Sequence, residues 1–156
     1  MGAAENKTLI RRFYEAFDRH DGDAMAASYA PGARFEDPVF GRLTGAEAGA
    51  MWRMFTRRPE SDLRVELREH EASETAGTAH WIARYTFAPT GKMVVNDIHA
   101  QFRFAEGLMT EHVDRFSFWS WARQAFGPPG LLVGWIPLVP AVLRRKVRAD
   151  LATFMK

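Results

Sequence analysis

Leu9, Ile10, Phe13 and Phe17 recur at intervals of three and four between about residues 6 and 19, a spacing that gathers side chains on one stripe of a helix. Asn6 is read as the cap of that helix. The polar run His20-Asp21-Gly22-Asp23 interrupts it, and Met25 with Tyr29 predicts a short second helix ended by Pro31-Gly32. Ala33 to Asp37 reads as extended, because Pro38 disfavours helical geometry in the residue before it. Thr44-Gly45-Ala46-Glu47 has the form of a capping box and opens a third helix carrying Ala50, Met51, Met54 and Phe55, which stops near Pro59.

From about residue 62 the period falls to two. A first strand is expected near Leu63 to Glu71. Trp81, Ala83, Tyr85 and Phe87 then alternate with His80, Ile82, Arg84 and Thr86, and turns at Pro89-Thr90-Gly91 and Glu106-Gly107 bound strands over Met93 to Phe104 and Met109 to Trp119. Helices first and a long antiparallel meander second make an α+β layout. Beyond Pro128 a Pro/Gly-punctuated apolar stretch leads into a helix from about Val142 to Phe154. With no repeat and no linker, residues 1–156 read as one domain, and 128–156 as a C-terminal lid or interface extension.

Composition narrows the chemistry. The chain has no cysteine, so a disulfide framework, a thiolate zinc site and a thiol nucleophile are all excluded. The start lacks the apolar core of a signal peptide, which makes a cytoplasmic location the expectation. Leu131 to Leu143 is the longest apolar stretch, but it is shorter than the roughly 20 residues a spanning helix needs and contains Pro137 and Pro140. A net charge of +2, concentrated in Arg144, Arg145, Lys146 and Arg148, is too small and local for a nucleic-acid surface. Aromatic residues make up 13% of the chain, enough to need a core or a pocket to fill.

The segment YAPGARFEDP (Tyr29 to Pro38), Thr44-Gly45, Phe102-Arg103-Phe104 and Gly107 to Asp114 (GLMTEHVD), in this order of elements, resemble the nuclear transport factor 2-like superfamily. Within it they resemble the SnoaL-like polyketide cyclases and the ketosteroid isomerases, over roughly residues 6 to 120. The resemblance implies a cone, in which a strongly curved antiparallel sheet is closed by three N-terminal helices around an apolar pocket, and an activity that needs no metal or organic cofactor. It also implies a homodimer formed through the outer sheet face, and a small hydrophobic ligand.

Two carboxylates stand out. Asp37 matches the proton-moving aspartate of the isomerases, and Asp114 matches the acid/base aspartate of the cyclases. A carboxylate beside apolar walls loses hydration, so its pKa climbs toward the range where it can take and return a proton near neutrality. If Asp37 and Asp114 share one cavity, their repulsion separates an acid from a base. His112 lies two residues before Asp114 on one strand face, which also carries Phe116 and Phe118, so a His-Asp couple on an inward wall is expected.

The isomerases' two enolate donors fall at Phe13 and Ala100, which cannot donate, and this argues against true steroid isomerase activity. Tyr14 and Asp97 lie nearby on other faces. Phe13, Tyr14, Phe17, Trp52, Phe55, Trp81, Tyr85, Ala100, Phe102, Phe116 and Phe118 are expected to line the pocket. Arg84 is weighed against the Asp-Arg-Asp set of limonene epoxide hydrolase and read as a surface residue. The row Asp97, His99, Gln101 and Arg103 is read as interface or solvent, and His20, His70 and His80 as lacking metal-ligand spacing, so no metal is expected. Leu131, Leu132, Trp135, Ile136 and Leu138 are read as a lid or interface in preference to a membrane contact. The open alternatives are an acid/base enzyme of isomerase, cyclase or lyase type, a non-catalytic binder of hydrophobic molecules, and a protein-interaction domain.

Overall fold

The amphipathic stripe of the first segment forms α1 (Ala3–Asp18), whose Ile10, Phe13, Tyr14 and Phe17 are buried. The computed structural model describes residues 2–58, 61–127 and 138–156. Asn6 is not a cap. It lies inside α1, almost fully buried, and its side-chain amide donates to the carbonyls of Ser73 and Glu74 at 3.0 and 3.1 Å. A residue with cap chemistry thus ties the helix to a distant turn.

α2 (Gly22–Ala26) is capped by Asp21 and ends sooner than the sequence suggested. Tyr29, expected on that helix, instead opens β1 (Tyr29–Asp37), with its hydroxyl turned into the interior. A short strand missing from the sequence reading, β2 (Gly41–Thr44), returns along β1, and the predicted capping box starts α3 (Gly45–Thr56). α2 and α3 touch where Gly22 has no side chain: a Cβ there would meet Thr56 Oγ1 and stand 2.7 Å from Arg53 Cα.

The meander is β3 (Arg64–Ala72), β4 (Ala76–Phe87), β5 (Lys92–Ala105) and β6 (Leu108–Arg115). The six strands form one strongly curved sheet, not closed into a barrel, in the order β2-β1-β6-β5-β4-β3. Burial alternates strictly along β5: Ala100, Phe102 and Phe104 face the core, while Asp97, His99, Gln101 and Arg103 face out, as the period of two predicts. Arg84 is also outside, bonded to Glu66 at 3.1 Å.

The last strand is shorter than expected. It stops at Arg115, and Ser117 caps α4 (Phe118–Phe126), so Phe118 leaves the face of His112 and Asp114 and packs instead beside Trp121. α4 builds a second apolar cluster with Val94 and Phe87, into which Trp121 Nε1 draws the Tyr85 hydroxyl at 2.7 Å. α5 (Leu138–Met155) starts earlier than predicted. Leu131, Leu132, Trp135 and Ile136 lie outside the described residues. No helix among the described residues is long and apolar enough to cross a membrane.

One pairing departs from the meander and positions the site. β1 runs parallel to β6, with Phe35 opposite His112 and Glu36 opposite Val113. One further step along this register brings Asp37 level with Asp114, and because parity is kept, both lie on the strand face that holds Phe35 and His112.

Candidate active site

His112 is fully buried and Asp114 is 4% exposed, whereas Val113 is only partly covered and Arg115 is exposed. The alternation that the sequence suggested is therefore the one β6 adopts. The His112 imidazole is packed among Phe13, Tyr29, Phe35, Trp52 and Phe102, with ring centroids 4.5 to 6.1 Å away. So enclosed, each ring nitrogen needs a partner.

Both have one. Tyr29 Oη lies 2.7 Å from His112 Nδ1, and His112 Nε2 lies 2.9 Å from Asp114 Oδ1. Trp52 Nε1 meets Tyr29 Oη at 2.8 Å. An indole N–H can only donate, so the tyrosine oxygen accepts from Trp52 and its own hydrogen is directed to Nδ1. The imidazole then carries its hydrogen on Nε2 and donates it to Asp114. This chain, Trp52 to Tyr29 to His112 to Asp114, sets the histidine tautomer and aims the carboxylate. Tyr29 and Trp52 are links that sequence reasoning missed in this role, because Tyr29 was assigned to a helix and Trp52 was seen only as lining.

Asp37 ends β1 in a turn held by its own side chain: Oδ1 accepts from the backbone N–H groups of Val39 at 2.9 Å and Phe40 at 2.5 Å. α5 braces this turn from outside. Arg144 donates to the carbonyls of Pro38 and Val39, and Arg148 to those of Phe40 and Arg42. Both arginines had been read only as part of a basic surface cluster. A cavity of about 320 Å³ opens beside the turn, lined by Glu36, Asp37, Pro38, Val113, Asp114, Arg115, Phe116 and Arg144. It brings together Asp37 and Asp114 with the guanidinium of Arg144.

Loss of water around Asp37 pushes its carboxyl up to about 7, with the nearby Asp114 charge acting in the same direction. The two backbone amides and Arg144 oppose that rise without cancelling it. A wider depression of about 400 Å³, at Asp18 to His20 and Ser61 to Arg64, also holds two aspartates, but Asp18 accepts from Arg64 and the Val65 amide, Asp62 from Thr86, and His20 is engaged with the Leu63 carbonyl at 2.8 Å.

The expected lining splits into three groups. Phe13, Tyr14, Phe17, Trp52, Trp81, Ala100 and Phe102 are core residues whose rings pack on one another, as in Phe17–Trp52 at 5.0 Å and Tyr14–Trp81 at 5.2 Å. Phe55 is partly buried against Phe40, and Tyr85 and Phe118 belong with α4. Of the group, only Phe116 lines the cavity that holds the carboxylates. That cavity is rimmed by charge, not apolar as expected, because the turn after β1, Arg115 at the end of β6 and Arg144 of α5 bound it. Within the core, Tyr14 Oη and Trp81 Nε1 are buried donors with no hydrogen-bond partner among the described residues.

Residues 10–112 match the SnoaL-like domain family. The chain belongs to that family. No curated protein matches the sequence. Among solved structures, an epoxide hydrolase of the limonene type from Mycobacterium tuberculosis superposes with a TM-score of 0.65 at 21% identity, covering 88% of this chain and 96% of the other. A candidate polyketide cyclase from Xanthomonas campestris gives 0.66 at 22%, covering 79% and 98%. A protein of ketosteroid isomerase-like fold from Catenulispora acidiphila, solved with trimethylamine, gives 0.67 at 16%, covering 83% and 97%. At these identities the likeness shows the fold, and the SnoaL-like cone is the frame on which this chain's own residues are set.

Proposed function

We propose that this SnoaL-like protein is a general acid/base enzyme of isomerase, cyclase or lyase type, acting on a small, mostly apolar carbonyl or polyketide-like molecule with side chains alone. The observation that carries the reading is the presence of two aspartates of different surroundings on one cavity, one of them raised to about 7. Near neutral pH, ionised Asp37 takes a proton from the carbon next to the substrate carbonyl. The C–H electron pair moves into the new C=C bond of an enolate, and Arg144 offsets the charge on its oxygen. Asp37 then hands its proton to ionised Asp114, whose oxygens His112 fixes, and Asp114 delivers it to the second carbon as the enolate electron pair forms the new C–H bond and the carbonyl re-forms. His112 acts as a positioning residue through Asp114, since its ring touches only protein.

Proton exchange tests this directly. With a panel of ketones and 1,3-diketones in D2O, the protein is expected to speed exchange of the hydrogens next to the carbonyl, followed by NMR, and Asp37→Asn and Asp114→Asn are expected to abolish the effect while keeping the fold. Thermal stabilisation by panel members without exchange would instead support a non-catalytic binder, and neither effect would favour an interaction domain. The fold analogy adds little by itself, because one fold hosts many chemistries.

The Asp37-Arg144-Asp114 grouping favours a second reading, hydration of an epoxide. One carboxylate would take a proton from water as its oxygen bonds to a ring carbon, the ring C–O bond would break, and a carboxyl group would protonate the departing alkoxide. Diol formation from an epoxide panel distinguishes this from enolisation.

A further inference from the structure

The outer sheet face holds a group of side chains that the proposed reaction does not use. His80 on β4 stands directly opposite His99 on β5, and Asp97 lies one outward position away on the same strand, opposite Ile82. The two imidazoles are stacked nearly parallel, 4.4 Å between centroids and 6° between planes. His80 Nε2 is hydrogen-bonded to Asp97 Oδ1 at 2.7 Å, and His99 Nε2 lies 3.6 Å from the same oxygen. One ligand atom from each residue lies within 4.8 Å of the other two.

We propose that His80, Asp97 and His99 form a site for a divalent transition-metal ion of the zinc class. Two neutral imidazoles and a carboxylate are a donor set such ions favour, with bonds of about 2.0–2.2 Å that put tetrahedral donors roughly 3.3 Å apart. The observed group is near that spacing, and the separation closes by small side-chain rotations because these groups face solvent: the side chains of Asp97 and His99 are 60% and 69% exposed. A hydrogen bond from His80 to Asp97 accounts for one imidazole only. The second, stacked on it, lies 3.6 Å from the same oxygen, beyond hydrogen-bond reach, and turning the two rings out of parallel lets both in-plane lone pairs meet one cation held by Asp97. The backbone sets the arrangement, since both histidines are fixed across a regular antiparallel ladder. The flanking positions carry one charge of each sign, Glu69 opposite His80 and Arg115 opposite His99, so the three ligands themselves decide binding. Three protein donors leave a fourth position for water or an exogenous ligand. Sequence reasoning compared only His20, His70 and His80 and assigned Asp97 and His99 to interface or solvent; the β4–β5 register supplies the missing partners.

The test is calorimetric titration of the untagged, EDTA-treated chain with Zn2+ at pH 7.5, with Co2+ absorption as a second readout. One Zn2+ per chain is expected, together with a Co2+ spectrum of low coordination number. His99→Ala and Asp97→Asn should each weaken binding by at least about tenfold, with unchanged metal-free melting temperatures showing that both variants fold. No heat of binding up to millimolar Zn2+, or equal binding by the wild type and both variants, would overturn the assignment.

Discussion

Asp37 titrates in a direction that can be worked out before any substrate is known. Its carboxyl is held near 7 in the folded protein against 3.8 as the reference value, so between those values the native state binds the extra proton. The stabilisation that Asp37 contributes is therefore fully present below about pH 4 and is lost as pH rises to about 7. Asp37→Asn should flatten that slope and leave the variant about 2 kcal/mol more stable than wild type at pH 8, a figure discounted from the full shift for partial solvent exposure. Urea midpoints across pH 4–8 check this. Activity should move the other way, with kcat/KM rising through about pH 7 as the base ionises. Asp114→Asn is expected to lower turnover by about 10²-fold or more with little change in stability. Tyr29→Phe removes the oxygen shared by Trp52 and His112 and should cost about 2 kcal/mol. The ring 15N shifts of His112 should then lose the pattern of a single Nε2–H tautomer, a change that loss of packing alone would not produce. Asp37 and Asp114 were singled out in the sequence by the family resemblance, and strand parity placed His112 on the face of Asp114. Tyr29 was not legible, since its spacing from Met25 matches a helix as well as it matches the start of a strand.

Elements meet here through positions that the one-dimensional pattern cannot show. The start of α3 was legible to the residue because the Thr44–Glu47 capping box is a local signal. The β1–β6 pairing was not, because it joins segments some 75 residues apart and runs parallel where a meander suggests antiparallel order. Yet that pairing is what sets Asp37 beside Asp114. Gly22→Ala tests the closest helix contact: its Cβ would collide with α3 backbone at Arg53, and about 2 kcal/mol of stability should be lost in a denaturant titration. α5 was predicted as a lid or interface, and its arginines bind the carbonyls of the turn that presents Asp37. Arg144→Ala should raise the Asp37 pKa further, because the guanidinium now lowers it. A pH–rate profile displaced to higher pH would register the change.

At the scale of the whole molecule, helices before sheet and a strand period of two were enough to reach an α+β layout, and the resemblance to the SnoaL-like family supplied the cone. They were not enough to place the cavity. Burial is legible as periodicity, and the core rings were identified correctly as inward-facing, but whether such rings bound a pocket or fill a core depends on how far the helices close, which no local pattern encodes. Packing has put most of them against one another, and the chemistry lies at the margin of the core, where a turn, a strand end and a C-terminal helix converge. The account depends on Asp37 and Asp114 sensing each other across that margin. Carbon-13 NMR titration of the aspartate carboxyls in wild type and Asp114→Asn measures this most directly. The account predicts an Asp37 pKa of about 7 that drops clearly when the Asp114 charge is removed; a value near 4 that ignores the substitution would contradict it.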